Sequence, residues 1–341
     1  MLERIRGPDA ARPVLTCEPT ALGIQGDATV MRKALLALFL VACDALLSRD
    51  VAVMAQDAKA TRAKYISQAD IQKGLAPTNG ITGGQFFHIV PNLVIRRRLD
   101  GPNNASAHSV ATDGEDVTEV VVITDGSGTF MTGGTFVDQA SDYQKKERAK
   151  GITGGVARDV SAGDVIVIPR GTPHWFTKIN GRVTMIEARV PVSAPAKFIP
   201  KAEVMTQVAA APWGIGGQTY SIVPASGPAR ANSIGLRHRE KGRPNDASIH
   251  STGTDGVNAT EIMIILDGGG TFVSEGTHVD TNPIYTSKDR AKGITGGLSR
   301  EVKAGDVLLY PPGTSHWFSN VSEQVTMIEV RLPGDVTAGN P

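Results

Sequence analysis

The sequence predicts an all-β protein built twice over, two tandem domains that are each a sandwich or barrel of short strands. Three observations carry that prediction. The chain repeats itself at a fixed spacing, its apolar runs have strand length and strand composition, and helical patterning is confined to one short stretch at the head of each repeat.

The repeat sets the domain organisation. RAKGITGG occurs as Arg148 to Gly155 and again, 142 positions on, as Arg290 to Gly297. The same offset carries ASAHS at Ala105 to Ser109 onto ASIHS at Ala247 to Ser251. It also carries AGDVIVIPRGTPHWF, from Ala162, onto AGDVLLYPPGTSHWF, from Ala304, and VTMIEAR onto VTMIEVR. Upstream, ISQADI at Ile66 matches IPKAEV at Ile199 at a shorter offset, so a short insertion separates the copies before their matched core. With 341 residues the chain has room for two domains, each able to bury its own core. The boundaries that follow are a leader over 1–55, domains over 56–195 and 196–335, and a tail over 336–341.

Each element is justified by its own residues. TEVVVITDGSGTF, DVIVIPRG and RVTMIEARV, with TEIMIILDGGGTF, DVLLYPPG and QVTMIEVRL in the second copy, are β-branched runs bounded by turn residues. Helical pattern is limited to Ser67 to Leu75 and Lys201 to Ala210. Strands without intervening long helices exclude an alternating βαβ fold. The formal charge is +1 and the basic residues are scattered, with KKERAK the densest run; that excludes nucleic acid as a partner.

The first 55 residues speak of location. Met31 opens a short cationic start, ALLALFLVA is an apolar run, and VMA at Val53 to Ala55 has the small residues that a signal peptidase reads. Residues 31–55 therefore read as a secretory signal peptide, with Met1 an early start, and the protein is expected in the periplasm or outside the cell. Two alternatives stand beside this. A membrane anchor is opposed by the shortness of the run and by Asp44. A lipoprotein follows if LVAC, which resembles a lipobox, is acylated at Cys43. A chain cleaved near Ala55 keeps neither Cys17 nor Cys43, so no disulfide or thiol chemistry is expected.

Chemistry is expected at the histidines, because only seven occur and four of them pair at the offset: His108 with His250, and His174 with His316. Glu119 pairs with Glu261 at the head of an apolar strand, where alternation places Glu119, Val121 and Ile123 on one face. A carboxylate there needs a partner, and a cation held by two imidazoles supplies one.

At these residues the chain resembles the cupin superfamily. The run from His108 through Glu119 to Gly126 and the run GDVIVIPRGTPHWF resemble the two cupin motifs, and each is present twice, so the protein looks like a bicupin. The resemblance implies two jelly-roll barrels, each with one divalent metal ion (Fe, Mn or Zn) held by His108, Glu119 and His174 or by His250, Glu261 and His316. The first motif departs from the pattern, since Val110 and Thr252 stand where the family usually has a second histidine. Two histidines and one glutamate match a facial triad of non-haem iron or a catalytic zinc site. The opposing reading is that a cupin which has lost a ligand has lost its metal.

RAKGITGG lies between the two motifs and has two readings. Arg148, Lys150, Arg290 and Lys292 would clamp an anionic substrate, or the glycines would make a structural turn. Tyr143 and Tyr285 are further substrate-binding candidates, while Glu187 with Arg189, and Glu329 with Arg331, read as interface ion pairs. The function expected is a metal-dependent enzyme, a dioxygenase, a decarboxylase or another lyase, acting on a small oxygenated or anionic molecule. A non-catalytic binding or storage bicupin is the alternative, and a homo-oligomer is open to either.

Overall fold

The computed structural model describes residues 63–76, 84–101, 107–108, 117–138, 148–213, 217–225, 231–243, 249–251, 258–279, 290–291 and 293–337. The expected leader, Cys17, Cys43, Tyr143, Tyr285 and Lys292 lie outside them.

The chain opens with β1 (Lys64–Ile66) and α1 (Gln68–Gly74), then runs through β2 (Gln85–Val90), β3 (Leu93–Leu99), β4 (Ala107–His108), β5 (Thr118–Thr132) and β6 (Thr135–Val137). β7 (Arg148–Ala149), β8 (Gly151–Thr153), β9 (Val156–Ser161), β10 (Val165–Ile168) and β11 (His174–Val190) complete the first copy. The second copy repeats the order with β12 (Lys197–Ile199), α2 (Lys201–Ala210), β13 (Gln218–Val223), β14 (Ser233–Glu240), β15 (Ile249–Ser251) and β16 (Ala259–Ser274). It ends with β17 (Thr277–Val279), β18 (Arg290–Ala291), β19 (Gly293–Thr295), β20 (Leu298–Lys303), β21 (Val307–Tyr310) and β22 (Ser315–Pro333).

These strands form one sheet in the order β12-β10-β5-β11-β3-β2 and a second in the matching order β1-β21-β16-β22-β14-β13. β4, β7 and β9 extend the first; β15, β18 and β20 extend the second. The fold is thus all-β, two tandem jelly-roll barrels with a short helix heading each repeat. Both helices fall where the sequence predicts them.

Strand alternation sorts the apolar residues into three cores. Val120, Val122 and Ile186 of the first copy join Ile262, Ile264 and Ile328 of the second in one core shared by the barrels. Val121, Ile123 and Met185 fill the inside of the first barrel, and Met263, Ile265 and Met327 the inside of the second. At about 1.5–3 kcal/mol for each fully buried aliphatic side chain, the shared core makes the two barrels one folding unit.

The opening segments are exchanged. β1 pairs with β21 of the second barrel, Tyr65 opposite Leu308, while β12 pairs with β10 of the first, Phe198 opposite Ile166. Each exchanged helix is held by the aspartate of the other copy's GDV turn. Gln68 N–H donates to Asp306 Oδ1 at 2.9 Å, and Lys201 N–H donates to Asp164 Oδ1 at 2.8 Å. Pro200, at the N-cap of α2, makes no side-chain cap, so Asp164 satisfies an amide the helix leaves open.

Candidate metal centre

The centre of each barrel is organised by a histidine that opens a long strand. His174 Nδ1 lies 2.9 Å from Thr172 O, and His316 Nδ1 lies 2.9 Å from Thr314 O. A carbonyl can only accept, so in each ring Nδ1 carries a proton and donates it. Both rings are buried, at 2% and 0% exposure. Burial pushes His174 down from 6.5 to about 4, which keeps it neutral at ordinary pH.

Nε2 of each ring faces a carboxylate: His174 lies 3.9 Å from Glu119 Oε1 and His316 lies 3.6 Å from Glu261 Oε1. Those distances are too long for hydrogen bonds. Two ligand bonds of about 2.1 Å each span up to ~4.2 Å, so one cation can touch both atoms of either pair. The anchoring of Nδ1 on a backbone carbonyl is the outer-shell contact that orients a ligating imidazole. An imidazole nitrogen and a carboxylate oxygen so placed are donors of the kind a divalent metal ion takes.

His108 and His250 are brought to the same place by backbone register. His174 pairs with His108, which pairs with Arg148; His316 pairs with His250, which pairs with Arg290. Each row of three crosses three adjacent strands. The side chains of His108, His250, Arg148 and Arg290 lie outside the described residues. Among the described residues no three histidine, cysteine, aspartate or glutamate side chains are grouped closely enough to hold a metal.

The second carboxylate oxygen corrects part of the sequence argument. Glu119 Oε2 is 3.3 Å from Arg189 Nε, and Glu261 Oε2 is 3.4 Å from Arg331 Nη2. The counter-charge that a buried glutamate needs is therefore supplied in part by arginine. What favours a cation is the other oxygen and the imidazole it faces.

The expected interface ion pairs are likewise corrected. Glu187 is buried and bonds Arg96 Nη1 at 3.0 Å; Glu329 pairs with Arg237 and, at 3.0 Å, with Arg331. All these pairs stay within one barrel, because 187 and 189 share parity with Met185, which fills the barrel, and not with Ile186 of the shared core. Burial pushes the Glu187 carboxyl up, against the pull of Arg96.

The arginines of RRR and RHR were missed. Arg96 and Arg98, and Arg237 and Arg239, point into the barrels, with Arg98 6.0 Å from the Phe176 ring and Arg239 5.6 Å from Phe318. Period two could have found them, since Leu93 and Ile95 face the shared core and so send 96 and 98 to the opposite face. Each barrel thereby carries three guanidiniums and two carboxylates: Arg96, Arg98 and Arg189 with Glu119 and Glu187, and Arg237, Arg239 and Arg331 with Glu261 and Glu329.

Space near the chemistry is small. A void of about 10 Å³ is bounded by Arg96, Arg98, Glu119, His174 and Glu187, room for one ion or one water. A larger cavity, about 870 Å³, lies instead between the barrels, on the far face of β3 and β5, and includes Arg97 and His238.

The glycines of RAKGITGG make a turn. Gly154 and Gly296 have φ of +69° and +67°, between β8 and β9 and between β19 and β20. Lys150 is exposed, and its N–H reaches Val137 O and Asp138 O.

A family model described as Cupin matches residues 114–218 and 255–333. The chain is similar in fold to a cupin 2 conserved barrel domain protein from Leptotrichia buccalis, with 16% identity, 81% of this chain and 98% of that one covered, and a TM-score of 0.41. It is also similar to a salicylate 1,2-dioxygenase from Pseudaminobacter salicylatoxidans (9%, 78% and 83%, 0.48) and to oxalate decarboxylase from Bacillus subtilis (11%, 80% and 72%, 0.38). No curated protein matches the chain.

Proposed function

The chain belongs to the cupin family, and from that premise we propose that it is a metal-dependent enzyme acting on a small anionic or oxygenated organic molecule, with one divalent ion per barrel. The observation that carries this reading is the buried imidazole whose Nε2 faces a carboxylate oxygen across 3.6–3.9 Å in both barrels. His174 with Glu119, and His316 with Glu261, would hold the ion, with His108 and His250 as the third donors. A cation bound there would act as a Lewis acid toward a substrate oxygen.

The surrounding residues argue for the substrate's charge. Three guanidiniums against two carboxylates leave each barrel with surplus positive charge, which suits an anion. Arg148 and Arg290, placed in register beside the histidine strands, and Lys150 and Lys292 two residues on, are the anion-binding candidates outside the barrel core. Oxygenation, decarboxylation and other lyase chemistry all fit such a site. Export of the protein, through the leader at 31–55 or a lipid on Cys43, is part of the same proposal.

Metal analysis tests it. Protein reconstituted with Fe(II), Mn(II) or Zn(II) and desalted should retain about two ions per chain, and His174→Ala with His316→Ala should lower affinity on the order of a hundredfold. Wild-type protein that retains none refutes the metal reading.

A further inference from the structure

The two barrels are not chemically equivalent. Opposite Glu119 on the neighbouring strand stands Ile168; opposite Glu261 stands Tyr310. Tyr310 is 1% exposed and its ring stacks on His316, with centroids 4.4 Å apart and planes 9° from parallel. Its hydroxyl is buried and has no hydrogen-bond partner among the described residues. A second position differs in the same direction. His278 in β17 holds the place of Phe136 in β6, and its buried Nε2 likewise has no hydrogen-bond partner among the described residues. Burial, and after it the nearness of His316, hold the His278 imidazole below its ordinary pKa.

A buried hydroxyl that finds no partner among the described residues is a cost that a ligand can remove. Packing alone asks only for an apolar ring or branch, which Ile168 provides in the first barrel. We propose that Tyr310 is a ligand-facing hydrogen-bond donor, one that the first barrel lacks at the matching position, Ile168, and that it holds an oxygen or nitrogen atom of a small anion bound beside His316 and Glu261. The inference rests on the metal reading above, because the anion is taken to share the site with the ion. It makes the second barrel the anion-binding one and leaves the first a weaker copy.

The test uses cobalt(II) as a reporter ion and azide as the anion. Full-length protein with His174→Ala keeps only the second site, and protein with His316→Ala keeps only the first. Azide titrated against the cobalt absorption should bind about tenfold or more tightly to the second site, the scale of one hydrogen bond to a charged group. Tyr310→Phe removes one oxygen and keeps the stacked ring, and it should abolish that advantage without changing cobalt affinity. Equal azide affinity with and without the hydroxyl, with cobalt bound in both, overturns this proposal alone. If Tyr310→Phe fails to fold, the comparison of the two single-site proteins decides: equal affinities there overturn it as well. Wild-type protein that binds no cobalt overturns the metal reading and this inference together.

Discussion

His174 shows how much a single residue must reconcile. It sits in a barrel lined by Glu119 across the gap, Glu187 on its own strand, and Arg96 and Arg98 on β3, yet burial is the strongest influence on its ring. Its pKa falls from 6.5 to about 4 in the folded state, so the folded protein prefers the neutral ring. The resulting stability is complete above about pH 6.5 and is lost as pH falls toward 4, where the unfolded chain takes up a proton the folded chain refuses. In chelator-treated protein the urea midpoint should fall across that window, by at most about 3 kcal/mol of stability. Glu187, pushed upward by burial, titrates in the opposite sense. The difference between wild type and His174→Gln therefore reads His174, and a difference that is flat between pH 6.5 and 4 contradicts the assignment.

At the scale of elements, the turn after β8 separates two kinds of glycine. Gly154 has φ of +69° and open space where a Cβ would stand, whereas at Gly134, φ +79°, a Cβ would lie 2.3 Å from Thr153 O. Gly154→Ala should cost about 1–2 kcal/mol of backbone strain; Gly134→Ala should cost more, since β6 and β8 must also part. Thermal melting of the two variants checks the order. The long strands, the helices and the pairing of the copies were legible because period, propensity and repetition are local. His174 and Glu119 were legible because an ionisable residue in an apolar run is conspicuous. Arg96 and Arg98 were not, since three successive arginines read as solvated until the face of Ile95 is known. The partnership of Glu119 with Arg189 joins residues 70 positions apart, and nothing in either run declares it.

The whole molecule is governed by the exchange of β1 and β12. Cutting the chain between 196 and 197 would give an N-terminal piece that carries the closing strand of the other barrel and lacks its own. The C-terminal piece would carry β12 and lack β1. Each piece alone should be poorly folded, and the mixture should recover the melting transition of the intact protein as a one-to-one complex. Two pieces that fold independently would contradict the exchange. Reciprocal strand donation of this kind is what a symmetric dimer does, and here a covalent connection has made the encounter intramolecular. The intact chain should therefore melt at the same temperature however far it is diluted, while the cut pair should melt lower with every tenfold dilution.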